Sequence, residues 1–137
     1  MESSGECYLD TSALIAAMDR GDSHHLKYKS LFSTLSSGAP RLVTSSLVVA
    51  EGYNWFLRKY DSDRAIQFLS FVGAARLGVR AFGIEDLRRT SVLLKKFADR
   101  KLTMADAHGL AVMQERGIKS CWSTDPHLGL TGVRLVN

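Results

Sequence analysis

Four acidic residues stand where acids are costly. Asp10 follows the apolar run Cys7-Tyr8-Leu9, Glu51 follows Leu47-Val48-Val49-Ala50, Asp106 lies early in an apolar-striped segment, and Asp125 comes soon after Cys121-Trp122. A carboxylate at the end of a buried run is partly stripped of water, and holding it there unpaired is expensive. Carboxylates drawn together also resist joint ionisation. A divalent cation shared among them answers both problems, because hard cations such as Mg²⁺ take oxygen ligands. Such a centre supports phosphoryl transfer by polarising a phosphodiester and acidifying water. Mg²⁺ usually keeps several waters and one or two direct carboxylates, so some of the four acids are expected to act through water, with Asp10 and Asp106 innermost. Glu51 or Asp125 would then orient the attacking water.

Each acid alone also fits a local role. Asp10 suits a helix cap, Glu51 and Asp106 suit the amino-terminal turns of helices, and Asp125 suits a turn before Pro126. Four such coincidences at one end of one sheet are harder to arrange than one shared site. His108 and His127 lie near the third and fourth acids and raise the alternative of an Asp/His centre or a histidine base. His24 and His25 are adjacent on a surface-type helix, diverge by about 100°, and receive no role.

The elements that must position the acids follow from periodicity and punctuation. Cys7–Leu9, Arg41–Thr44, Val79–Phe82 and Ile118–Trp122 read as strands, with Val133–Val136 as a last edge strand. Between them lie helical segments: Ala13–Met18 after the capping run Asp10-Thr11-Ser12, about His24 to Leu35, and a helix capped by Ser45 or Ser46 that carries Glu51 and runs to about Lys59. Further helices begin at Asp61-Ser62-Asp63, at Ile84, and at Thr103, the last ending at Gly117. The run Ser36-Ser37-Gly38-Ala39-Pro40 closes the second helical segment. Strands alternating with helices predict an α/β fold with three layers, α/β/α, around a central, mainly parallel sheet of four to five strands. In such sheets sites form at the strands' carboxyl ends, where all four acids fall.

The 137 residues, 45% of them hydrophobic, suit a single domain over 1–137 with a genuine core. The formal charge of +4 favours a polyanionic partner, although so small an excess also serves plain solubility. Arg88, Arg89, Lys95, Lys96 and Arg100 form the polar face of one amphipathic helix, and Arg58 with Lys59 would extend a surface able to track phosphates. Trp55 and Phe56 would stack on unpaired bases, receive a partner's apolar segment, or pack in the core. Cys7 and Cys121 read as buried structural thiols of a reducing compartment. The polar opening Met1-Glu2-Ser3-Ser4-Gly5-Glu6 and the lack of a long apolar run predict a cytoplasmic protein with no membrane span.

Taken in order, Asp10-Thr11-Ser12-Ala13, Ser45-Ser46-Leu47-Val48-Val49-Ala50-Glu51, Leu102-Thr103-Met104-Ala105-Asp106-Ala107 and Ser123-Thr124-Asp125-Pro126-His127-Leu128 make the chain resemble the PIN-domain nucleases. Size and element order resemble the VapC-type ribonuclease toxins of toxin-antitoxin pairs. The resemblance implies that Asp10, Glu51, Asp106 and Asp125 form an acidic site for Mg²⁺ or Mn²⁺, catalysing RNA hydrolysis. It also implies supporting hydroxyls from Thr11 or Ser12 and from Ser123 or Thr124, an antitoxin partner and a homodimer. Arg58, Lys59, Arg88 and Lys95 are the candidate RNA contacts. Leu128 departs from the family, where an aromatic residue is commoner, and the smaller side chain is expected to loosen packing behind Asp125. The competing functions are a PIN nuclease outside toxin-antitoxin systems, acting in RNA processing or on DNA, and a catalytically silent RNA-binding module. An aspartyl-nucleophile phosphatase is disfavoured because Ser12 stands where its second Asp is needed, and no phosphate-cradling Gly-rich loop with Lys occurs.

Overall fold

The structure, a computed structural model, describes residues 5–37 and 40–137; the polar opening residues 1–4 and the Gly38-Ala39 step lie outside it, and the side chains of Ser36 and Ser37 are likewise outside the description. Five parallel strands form one sheet: β1 Glu6–Leu9, β2 Arg41–Ser45, β3 Gly78–Arg80, β4 Ser120–Trp122 and β5 Arg134–Val136, in the order β3-β2-β1-β4-β5. Six α-helices flank it: α1 Thr11–Met18, α2 His25–Ser33, α3 Ser46–Lys59, α4 Ser62–Ala74, α5 Asp86–Lys96 and α6 Met104–Arg116. The expected α/β/α layering with a parallel sheet is the one observed.

The strand order carries the functional consequence. From central β1 the chain builds outwards through β2 and β3, then returns to the other side of β1 for β4 and β5. The point where the order reverses lies between β1 and β4, and open α/β sheets bind ligands in the crevice at the carboxyl ends of such strands. Asp10 follows β1 directly, and Ser123-Thr124-Asp125 follows β4. Parallel pairing puts both turns on the same edge of the sheet, together with Ser45 at the end of β2.

Local chemistry sets the helix starts. Ser45, not Ser46, caps α3: its hydroxyl accepts the Leu47 N–H at 3.0 Å. The Asp61 carboxylate caps α4 by accepting the Arg64 N–H at 2.9 Å. Thr103 and Asp106 form a reciprocal capping box at α6, and Gly117 closes that helix in the left-handed conformation that favours glycine. Several boundaries differ from expectation: α1 begins at Thr11 rather than Ala13, β4 at Ser120 rather than Ile118, and β5 at Arg134 rather than Val133. β3 spans 78–80 and not 79–82, because the Phe82 N–H leaves the ladder and donates to the Ser46 hydroxyl at 3.0 Å. Helix α5 starts two residues after Ile84, since the Asp86 carboxylate ties back to the Gly83 N–H at 2.7 Å and fixes a turn there. Helix α2 gives way after Ser33 to a 3-10 turn, Thr34–Ser37.

The core runs from Tyr8, Leu9 and Trp122 on the sheet to Leu14, Leu110 and Val112 on α1 and α6 and to Phe56 and Phe68 on α3 and α4, all buried. Two glycines permit the closest approaches. A Cβ at Gly109 would sit 2.9 Å from the Tyr8 ring, so its absence lets α6 settle over β1 and bring Asp106 towards Asp10. A Cβ at Gly52, next to Glu51, would lie 2.3 Å from Phe68 Cζ, so α3 and α4 meet there only without a side chain. Cys7 and Cys121 are free, buried thiols on neighbouring strands, with Cys7 Sγ 2.9 Å from Ser120 Oγ. Leu128 is completely buried, and its N–H bonds the Asp125 carbonyl at 3.1 Å. Among the described residues no helix is long and apolar enough to cross a membrane.

Candidate active site

Asp10 occupies the N-cap position of α1 but makes no side-chain cap, so its carboxylate is left for other partners. Asp10 Oδ2 accepts the hydroxyls of Ser123, at 2.8 Å, and Ser12, at 3.1 Å. Ser123 Oγ in turn accepts the Asp125 N–H at 2.9 Å, and Ser12 Oγ accepts the Thr124 N–H at 3.1 Å. The turn after β4 is thereby stitched to the turn after β1 through Asp10. The alternatives left open by the sequence resolve by role: Ser12 and Ser123 hold Asp10, Thr124 contributes a backbone N–H, and Thr11 turns to the remaining acid, donating to Glu51 Oε1 at 2.6 Å.

Asp106 serves its helix as well as the site. Its Oδ2 accepts the Thr103 N–H at 3.1 Å. Asp125 Oδ1 accepts the His127 N–H at 3.0 Å, capping the 3-10 turn Pro126–Gly129. The local roles foreseen for these two acids are therefore real, and coexist with convergence. One ligand atom each from Asp106, Asp125 and His127 lies within 4.8 Å of the others. Asp10 and Asp106 are the more buried acids, whereas Glu51 and Asp125 are half-buried.

Electrostatics separate this cluster from ordinary surface charge. The Asp10 carboxyl is pushed up to about 6, chiefly by burial, with the Asp106 charge adding and the bonds from Ser123, the Thr11 backbone and Ser12 opposing. Among the described residues no Lys or Arg forms an ion pair with Asp10, Glu51, Asp106 or Asp125. Two carboxylates and an imidazole around one space, with a third carboxylate desolvated beside them, form a donor set that suits a divalent cation.

The other sequence candidates are placed elsewhere. His108 is buried on the far side of α6, since two residues along a helix turn through about 200°. Its Nδ1 pairs with Ser45 Oγ at 2.6 Å and its Nε2 lies 3.9 Å from Asp86 Oδ2. That Ser-His-Asp string is not a nucleophile, because Ser45 is fully buried and engaged as a cap. Phe56 belongs to the core, and Trp55 packs on it edge-on with ring centroids 5.0 Å apart. Arg58 is exposed on the Glu51 side of α3, two turns and about 10 Å along the axis. Lys59 is also exposed there, over the Trp55 ring. Arg89 of α5 bonds Glu115 of α6 at 3.1 Å, and Asp86 at the start of α5 lies 3.9 Å from His108 Nε2. Lys95 lies in the last turn of α5, before the short connection to α6, and Arg88 in its first turn. A groove of about 1150 Å³, lined by Leu42, Phe71, Leu77 and Val79, follows the β3 edge and includes none of the four acids.

The model of the PIN domain family matches residues 7–131, nearly the whole chain and all four acids. The chain belongs to the PIN domain family. Solved structures extend the likeness in shape. The Mycobacterium tuberculosis toxin VapC20, described as cleaving the sarcin-ricin loop, matches with a TM-score of 0.81 at 22% identity over 93% of this chain and 95% of that one. The Rickettsia felis VapBC2 complex, bound to a DNA fragment from its promoter, matches with a TM-score of 0.67 at 14% identity over 96% and 98%. PAE2754 from Pyrobaculum aerophilum matches with a TM-score of 0.64 at 19% identity over 98% and 93%. At these identities the likeness is one of fold. No curated protein matches by sequence. Within this PIN domain His127 stands with Asp106 and Asp125, and its position two residues past Asp125, in a turn rather than a helix, is the signal the sequence offers for it.

Proposed function

We propose that this PIN domain is a divalent-metal-dependent endoribonuclease, the toxin of a VapBC-type pair. The observation that carries the reading is the convergence of Asp106, Asp125 and His127 beside the desolvated Asp10 at the carboxyl ends of β1 and β4, where among the described residues no Lys or Arg pairs with the acids. Bound Mg²⁺ or Mn²⁺ would supply charge stabilisation at the scissile phosphate and a more acidic water. The residues do the rest. Asp106 and Asp125 hold the ion, and Asp10, fixed by Ser12 and Ser123, completes the negative wall of the site. Glu51, tethered by Thr11, lies on the adjoining helix and takes up the proton of the attacking water at its carboxylate. Water attack leaves 5′-phosphate and 3′-hydroxyl ends. Lys95, with Arg58 and Lys59, positions the RNA backbone, and Arg88 extends that basic surface.

The VapC20 likeness supports an RNA substrate, and the VapBC2 likeness supports an antitoxin partner that holds the nuclease silent in the cytoplasm. The protein acts as a homodimer in this reading. The test is cleavage of total RNA by purified, partner-free protein with and without Mg²⁺ or Mn²⁺, beside folded Asp10→Asn and Asp106→Asn. Cleavage that requires metal and disappears in both variants is expected. Equal cleavage by all three proteins contradicts the assignment.

A further inference from the structure

We propose that His127 is a nitrogen ligand of the site's divalent cation, and that it biases the site towards a transition ion of the Mn²⁺ class over Mg²⁺. The inference rests on the metal-site reading above and adds to it a residue and a preference. His127 sits in the 3-10 turn Pro126–Gly129, where Pro126 has a fixed φ and the Asp125 carboxylate holds the His127 N–H, so the ring projects from a pre-shaped turn. Its Nδ1 lies 3.3 Å from Asp125 Oδ1 and 3.8 Å from Asp106 Oδ2.

Both distances are ion-pair contacts when the ring is protonated, and a neutral ring presents a nitrogen in the same place. One ligand atom each from His127, Asp125 and Asp106 lies within 4.8 Å of the others, close enough for all three to reach one ion. The ring is about one-third exposed, so it needs no uncovering. The other histidines are committed elsewhere: His25 Nδ1 to the Ala16 carbonyl at 2.7 Å, His24 to Ser23 and Asp22, and His108 to Ser45 on the other side of α6.

The chemistry sets the preference. Mg²⁺ is a hard ion that takes oxygen and water, whereas affinity for imidazole rises along the first-row divalent ions from Mn²⁺ towards Cu²⁺. Exchanging one oxygen ligand for nitrogen leaves Mg²⁺ binding little improved and strengthens that of the transition ion.

The experiment is pulsed electron paramagnetic resonance of the full chain with substoichiometric Mn²⁺, using wild type, wild type grown with ¹⁵N-histidine, His127→Gln and Asp106→Asn. Wild type is expected to show coupling from a directly bound imidazole nitrogen, with the pattern changed by ¹⁵N-histidine, a readout that needs no mutation. His127→Gln is expected to lose the coupling, to bind Mn²⁺ roughly 10- to 100-fold more weakly, the range for disturbed metal sites, and to keep its Mg²⁺ affinity. If wild type binds Mn²⁺ through Asp106 but shows no histidine nitrogen, or if the coupling survives in His127→Gln, the ligand role is wrong and the metal site stands. If wild type binds no Mn²⁺, or Asp106→Asn binds it equally well, the proposed centre and the role of His127 fall together.

Discussion

Helix α6 separates two carboxylate clusters with opposite treatment. On one side, Asp86 and Glu115 are met by guanidinium groups: Arg80 contacts Asp86 at 3.1 Å and Glu115 at 3.4 Å, and Arg89 contacts Glu115 at 3.1 Å. The Gly83 N–H and Arg80 hold the Asp86 carboxyl below the usual range. On the other side, Asp10, Asp106 and Asp125 gather with hydroxyls, backbone N–H groups and one imidazole but no guanidinium, and Asp10 is pushed up to about 6. A fold this small can supply arginines to carboxylates it uses for packing. Among the described residues the second group, at the sheet's switch point, has only the His127 imidazole for a counter-charge, which is the arrangement the proposed metal site requires.

The comparison breaks most readily by removing one carboxylate from each cluster. Asp106→Asn is expected to lower RNA cleavage about 1,000-fold, the order seen when a group stabilising transition-state charge is lost. Asp86→Asn is expected to leave cleavage within a few-fold while lowering stability by about 1–3 kcal/mol, measured by urea unfolding, because Arg80 then loses the nearer of its two charged partners. Comparable losses of cleavage in both variants would erase the distinction.

The next effect is the pH dependence of the metal-free protein. Asp10 in the fold keeps its proton up to about 6, whereas in the unfolded chain it releases it near 3.8. Between these values the folded state binds more protons, so this group makes stability fall as pH rises from about 4 to 6 and has its full destabilising effect above 6. The total is about 3 kcal/mol. Asp10→Asn is expected to flatten that slope. Divalent metal at about a hundredfold excess over its Kd is expected to stabilise wild type at pH 7 by about 2.7 kcal/mol.

Gly109→Ala tests the packing that brings the two sides of the site together. Its methyl group would press on Tyr8, so a loss of about 1–3 kcal/mol is expected, with metal affinity falling as α6 is lifted from β1. The smallest effect concerns substrate. Lys95→Ala is expected to weaken RNA binding a few-fold and reduce its salt slope by about one contact, and Arg88→Ala, in the first turn of α5, to do less.

Much of this arrangement was readable from the chain because its causes are local. Apolar runs of strand length, the Thr103 cap with Asp106 three residues on, and Gly117 as a terminator mark elements through nearest-neighbour chemistry. The four acids announced themselves by standing at the ends of those elements. What lay beyond reach depends on contacts distant in sequence. Nothing near Phe82 shows that its N–H will leave the sheet for Ser46, which shortens β3. Nothing near Ser123 shows that its hydroxyl will choose Asp10, 113 positions earlier. The histidines fall between. His108 follows Asp106 by two, as His127 follows Asp125, but the first pair lies on a helix and diverges while the second lies in a tight turn and converges.

The most direct measurement is a calorimetric titration of Mn²⁺ into the partner-free protein, wild type beside Asp10→Asn, Asp106→Asn and Asp86→Asn. A single class of site that weakens sharply in the first two variants and is unchanged in the third is the predicted result. Binding that survives loss of Asp106 and Asp10, or disappears with Asp86, would contradict the claim that the uncompensated acids beside β1 and β4 hold the ion.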